Sequence, residues 1–145
     1  MIFERSVTTD WEGGLMDGSG VAKAGTGAFS LPVSFPSRIG EPAGKTSPEE
    51  LMAAAHAACF AMALNAALGK KSAKAKKTHV TATVSADKGD AGIKIVSSKV
   101  KVVVEGLEGM TPAEFSTFVK EADKGCPVSN AYRGTMQIDV EGSAT

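Results

Sequence analysis

Two cysteines, two histidines, one tryptophan and one tyrosine in 145 residues leave little material for metal or cofactor chemistry. Cys59 and Cys126 have 66 residues between them. With His56 and His79 they show none of the paired-ligand spacing of a metal site, so neither metal nor cofactor is expected. No charge sign is in excess, since Lys+Arg and Asp+Glu are 16 each. That speaks against nucleic acid, because phosphate binding needs a basic excess or patch. The cluster Lys70, Lys71, Lys74, Lys76, Lys77 reads as a solvated helix end and loop, suited to the negative end of a helix dipole. The glycines from Gly13 to Gly27 lack a strand–GxGxxG–helix setting and read as hairpin and bulge positions. No serine lies in a nucleophile elbow. The opening MIFERSVTTDWEGG has no basic region followed by an apolar one, so no secretory signal is expected. Two cysteines without a leader fit a reducing cytosol, where a redox pair is allowed and a structural disulfide is uncommon. There is no internal repeat or linker, and residues 1–145 are expected to form one domain.

What the chain does have is one long apolar run, SPEELMAAAHAACFAMALNAAL, from Ser47 to Leu68. Ser47 is a cap residue, Pro48 sits where a missing N–H costs nothing, and Glu50 is spaced to complete a capping box. Only His56 and Asn65 interrupt the run from Leu51 to Leu68. Its length raises the question of a membrane span. Its alanine content, its polar residues and its being the only such stretch favour a core helix, and no membrane partner is expected. A helix apolar all round is expected to be buried on every side.

Around it, Phe3, Val7 and Trp11 among polar residues, with a turn at Asp17-Gly18-Ser19-Gly20, read as strands and turns. Leu31 to Phe35 reads as a short edge strand. Pro36 to Thr46 reads as a loop carrying Arg38 and Glu41. His79 to Ala86 and Ile93 to Glu105 alternate with period two and form a hairpin, with a turn at Asp87 to Asp90 and a bulge at Ser97-Ser98. Thr111-Pro112-Ala113-Glu114 starts a second helix through Lys124, with an apolar stripe of Phe115, Phe118, Val119 and Ala122. Gly125 is placed as its C-cap. Cys126-Pro127 starts a short turn or helix, and Thr135 to Glu141 closes the chain as a strand. The expected fold class is α+β, with antiparallel sheets around a long buried central helix.

The cysteines admit two readings. Both suit small buried hydrophobes, yet Cys126 precedes a proline at a helix start, where free N–H groups favour a thiolate. His56, three residues before Cys59, lies on a neighbouring part of the same helix face. It reads either as a hydrogen-bonded structural histidine or as half of a Cys–His nucleophile pair. No Asn or Asp is visibly placed to orient its ring. Glu49 precedes Cys59 by ten residues, roughly 15 Å along a helix axis. Its side chain leans further away still. Glu49 can therefore join Cys59 only across a dimer interface, and Arg38 is free to act either way.

Together, Arg38, Ser47-Pro48-Glu49-Glu50-Leu51, Ala54-Ala55-His56-Ala57-Ala58-Cys59-Phe60 and Gly125-Cys126-Pro127-Val128-Ser129 resemble the OsmC/Ohr family of thiol-dependent hydroperoxide reductases. The resemblance runs over nearly the whole chain and includes Trp11-Glu12-Gly13. The His56 context and Asp87-Lys88…Asp90-Ala91-Gly92 are closer to the OsmC branch. Serine stands where asparagine is common before Pro48, and both are good caps. The resemblance implies an intertwined homodimer with sites at the subunit interface. It also implies Cys59 as the peroxidatic cysteine, Cys126 as the resolving one, Arg38 as stabiliser of the thiolate, and Glu49 as holder of the guanidinium. The substrate it implies is an organic hydroperoxide, and the reductant a lipoyl-type dithiol. Phe35, Phe60 and Met62 are candidates for an apolar site wall or for plain core. Two other classes stay open: a catalytically silent stress or ligand-binding module, and a Cys–His hydrolase or transferase.

Overall fold

Short alternating segments punctuated by glycine build the first third of the chain. The computed structural model describes residues Met1–Thr145. Strands β1 (Val7–Glu12), β2 (Ser19–Ala24) and β3 (Ser30–Val33) form an antiparallel sheet in that order. The β1–β2 turn needs glycine: Gly13 has φ +86°, and a Cβ there would lie 2.8 Å from the Gly18 Cα. Pro32 can sit in β3 because that strand is an edge with one neighbour.

The strand expected through Phe35 ends at Val33, and the loop expected from Pro36 begins instead as a short helix, α1 (Phe35–Ile39). Ser34 caps it, its hydroxyl accepting from the Ser37 N–H at 3.4 Å, and Pro36 suits the first turn. Helix α2 (Pro48–Lys70) follows. Ser47 caps it as expected, accepting from the Glu50 N–H at 3.1 Å. The capping box is only half made, because the Glu50 carboxylate takes the Thr46 hydroxyl at 2.7 Å.

The chain divides into two compact units, Met1–Leu51 and Met52–Thr145. The second contains strands β4 (Lys77–Gly89), β5 (Gly92–Glu105) and β6 (Gln137–Ala144), in the order β4-β5-β6. It also holds helices α3 (Pro112–Asp123) and α4 (Pro127–Tyr132). The β4–β5 hairpin runs to a tighter turn than expected, with Gly89 paired to Gly92. The bulge lies one residue earlier than expected: Ser85 pairs Ser97 and Ala86 pairs Ile95, leaving Val96 over. The expectation of antiparallel sheets holds for the first sheet and fails for the second, where β6 is parallel to β5. The physical reason is the connection, since α3 and α4 form a crossover long enough to bring the chain back in the same direction. At α3, Thr111 and Glu114 make the full capping box. Lys124 rather than Gly125 closes that helix, in a right-handed conformation.

The core joins Phe60, Leu64 and Leu68 of α2, Val100, Val102 and Val104 of β5, Phe115, Val119 and Ala122 of α3, and Cys126. Each large side chain buried here contributes about 1.5–3 kcal/mol. Burial of α2 on every side is not observed. His56, Phe60, Leu64 and Leu68 are buried, one stripe at a spacing of four, whereas Ala55, Ala58 and Ala66 are exposed. Met62 is 74% exposed. One layer of sheet and helix covers one stripe of the helix. By length and composition alone α2 could also cross a membrane, but its buried stripe belongs to the core just described.

Candidate active site

The second unit brings the two cysteines together from different elements. Cys59 sits mid-way along α2, and Cys126 is the N-cap of α4. Pro127 at the first helical position starts α4 immediately after the thiol. Cys126 is fully buried, Cys59 partly so, and both are free thiols. The first-turn amides of α4 address both sulfurs: the Ser129 N–H donates to Cys126 Sγ at 3.4 Å, and the Val128 N–H acts on Cys59. Burial pushes the Cys59 thiol above its ordinary range; the Val128 N–H works the other way, and the neighbouring Cys126 adds to the rise. Tyr132 is raised too, by burial and by both cysteines. Its hydroxyl donates to the Met52 carbonyl of α2 at 3.0 Å.

His56 is buried completely, and both ring nitrogens are used. Nδ1 is 2.6 Å from Ser98 Oγ on β5, and Nε2 is 2.6 Å from Ser129 Oγ on α4. Phe60 and Tyr132 pack edge-on against the ring. Burial holds the imidazole below its ordinary pKa, with Asp123 opposing and Arg133 reinforcing that shift. With both nitrogens engaged by serines, the ring has none left for Cys59, so the Cys–His pair does not form. The structural reading of His56 holds. Its orienting groups are serines rather than the Asn or Asp sought in the sequence.

The first unit brings together the other two candidates. Arg38 of α1 and Glu49 of α2 form a two-donor ion pair. Arg38 Nε lies 3.0 and 3.2 Å from the carboxylate oxygens and Nη2 lies 2.6 Å from Oε1. Burial alone would raise Glu49, but the Arg38 hydrogen bonds, a backbone N–H and the guanidinium charge bring it below the usual carboxylate range. Arg38 borders an apolar pocket of about 300 Å³ lined by Trp11, Leu15, Val33, Phe35 and Leu51, among others. Phe35 is thus a pocket wall, whereas Phe60 is core and Met62 points to solvent. No group of three or more His, Cys, Asp or Glu side chains is placed to hold a metal ion.

A family model described as OsmC-like protein matches residues 40–141. The chain is 35% identical over 144 residues to Peroxiredoxin OsmC of Escherichia coli (strain K12), covering 97% of this chain and 98% of that protein. This chain belongs to the OsmC-like family. A second relative is an organic hydroperoxide resistance protein of Xanthomonas axonopodis pv. citri, 35% identical over 115 residues and covering 77% of each chain. Among solved structures, an organic hydroperoxide resistance protein from Elizabethkingia anophelis superposes with a TM-score of 0.74. It is 27% identical over 100% of this chain and 99% of its own. The α+β fold with two small sheets is therefore that of OsmC-like proteins, as the motifs around Cys59 and Cys126 implied. Ser98 and Tyr132 were not singled out as site residues from the sequence, and Ser129 was named only as the last residue of the Gly125–Ser129 motif, with no role of its own. Ser129 and Tyr132 follow Gly125-Cys126-Pro127 closely, which is the one signal that could have found them.

Proposed function

We propose that this protein is a cytoplasmic, homodimeric thiol peroxidase that reduces organic hydroperoxides to alcohols, with residues 1–145 serving as one OsmC-like domain. The observation that carries the reading is the pairing of a partly exposed thiol, Cys59, with a buried free thiol, Cys126, under one set of α4 amides. The names of the relatives support it at moderate identity.

The Cys59 thiolate attacks the distal peroxide oxygen; an S–O bond forms, the O–O bond breaks, and the alkoxide leaves as the alcohol after taking a proton. Cys126 then attacks the Cys59 sulfenic sulfur. An S–S bond forms, and hydroxide leaves with the Cys126 proton as water, which spares Cys59 from irreversible oxidation. A dithiol reductant, of the lipoyl type in this reading, regenerates both thiols by exchange.

A nucleophile needs its thiolate favoured, yet burial pushes Cys59 the other way. A guanidinium supplies what is missing. Glu49 cannot reach the Cys59 of its own helix, so the Arg38–Glu49 pair serving each Cys59 comes from a second copy. The uncovered side of α2, with Ala55, Ala58, Met62 and Ala66 exposed, is the surface that copy covers. The apolar pocket beside Arg38 suits the organic part of the peroxide.

The test is turnover of an organic hydroperoxide with a dithiol by the wild type, Cys59→Ser and Cys126→Ser. The expected result is no reaction for Cys59→Ser, and a single turnover followed by inactivation for Cys126→Ser. Sustained turnover by Cys126→Ser would overturn the mechanism.

A further inference from the structure

The turn that carries Cys126 is built mostly from contacts within itself. The Cys126 N–H donates to the Asp123 carbonyl at 3.0 Å, and the Asn130 N–H donates to the Cys126 carbonyl at 3.0 Å. Asn130 Nδ2 donates to the Lys124 carbonyl at 2.9 Å, and Arg133 pairs with Asp123 at 2.8 Å. None of these four bonds fixes where the turn sits relative to α2. Besides the Val128 N–H on the Cys59 sulfur, two side-chain hydrogen bonds do: Ser129 Oγ to His56 Nε2 at 2.6 Å, and the Tyr132 hydroxyl to the Met52 carbonyl at 3.0 Å. His56 is one helical turn from Cys59, and Ser129 is the residue whose N–H caps Cys126 Sγ. The imidazole is itself anchored to β5 through Ser98.

Resting on the peroxidase reading, we propose that His56 is a positioning residue for the resolving step: through Ser129 it holds the first turn of α4 so that Cys126 meets the Cys59 sulfenic acid. The shared chemistry is the S–S bond formation and loss of water given above, and His56 touches neither sulfur. A buried neutral imidazole between two hydroxyls donates on one nitrogen and accepts on the other, which fixes its ring more tightly than one bond would. Misplacement by about 1 Å costs roughly a hundredfold in a step that depends on alignment. A second peroxide molecule competes for the same sulfenic acid, so slower resolution appears as sulfinic acid on Cys59.

The test separates the two chemical steps. Pre-reduced protein is mixed with an organic hydroperoxide, and Cys59 sulfenate, sulfinate and the Cys59–Cys126 disulfide are quantified over time by mass spectrometry. The variants are His56→Ala, Ser129→Ala and, as a control for stability alone, Thr111→Ala, which removes the α3 cap. Ser129→Ala keeps the backbone N–H on Cys126 Sγ and is the variant of choice if His56→Ala fails to fold. The expected result for Ser129→Ala is disulfide formation slowed by about tenfold or more, with a matching rise in sulfinate. Thr111→Ala is expected to melt earlier while resolving at the wild-type rate. Wild-type resolution in Ser129→Ala, or equal slowing in Thr111→Ala, would overturn the inference. Absence of any sulfenate or disulfide in the wild type would instead overturn the peroxidase reading beneath it.

Discussion

Replacing Glu49 by glutamine removes one negative charge and leaves a side chain shaped like the protonated acid. Glu49 takes hydrogen bonds from two donors of Arg38, the shortest 2.6 Å, and the two side chains are 14% and 27% exposed. A hydrogen bond to a charged group contributes about 1.5–3 kcal/mol. Glutamine keeps one carbonyl acceptor, and solvent screens part of the rest, so the net loss is about 2 kcal/mol at pH 7. Its pH dependence identifies the cause. The folded-state pKa of Glu49 lies below its ordinary value of 4.5. The carboxylate's contribution is therefore fully present above pH 4.5 and is lost as pH falls through the folded value. Urea unfolding at fixed protein concentration should show Glu49→Gln weaker at pH 7 and the two proteins converging in acid. On the proposed mechanism, in which the guanidinium serves a Cys59 thiolate of a second copy, peroxide reduction should fall by about tenfold or more in the variant, because a loosened guanidinium is less well aligned. Equal stability at pH 7 together with unchanged peroxide reduction would refute this account of the pair.

His56 is held neutral by burial below its ordinary 6.5, so it contributes stability above that pH and withdraws it as pH falls through the lower folded value. Stability should fall on acidification below pH 6.5 with a limiting slope of about 1.4 kcal/mol per pH unit. His56→Gln, measured by urea unfolding, should be flatter over that range. Met62→Glu should change a lone chain by no more than about 0.5 kcal/mol, because the side chain is 74% exposed there. In sedimentation velocity the wild type should run as a dimer and Met62→Glu as a monomer with lowered peroxide reduction. A monomeric wild type would contradict the shared site.

Much of the fold was legible because local chemistry agreed with the final structure. Ser47 and Thr111 cap the helices they announce, and the alternation from His79 to Glu105 becomes β4 and β5. What failed depended on distant partners. Nothing near Thr135 says whether β6 runs with or against β5, since the crossover through α3 and α4 decides it. The composition of α2 reads as buried all round, while the spacing of His56, Phe60, Leu64 and Leu68 selects the one stripe that a single chain buries. Of the candidate site residues, Cys59, Cys126, Arg38 and Glu49 were singled out through motifs, and the structure pairs Arg38 with Glu49 and sets the two thiols near each other. Ser98 was not, because a serine in an alternating strand gives no local sign of the histidine it will meet across 42 residues of sequence.

The central claim is that Cys59 and Cys126 form a peroxide-driven redox pair. Intact mass and free-thiol content of the reduced protein, measured after one equivalent of an organic hydroperoxide, test it most directly. The expected result is rapid loss of both thiols with a mass decrease of about two hydrogens, an intrachain Cys59–Cys126 link, and no reaction in Cys59→Ser. Survival of both thiols would contradict it, and would leave the cysteines as packing residues of a binding module on the same fold.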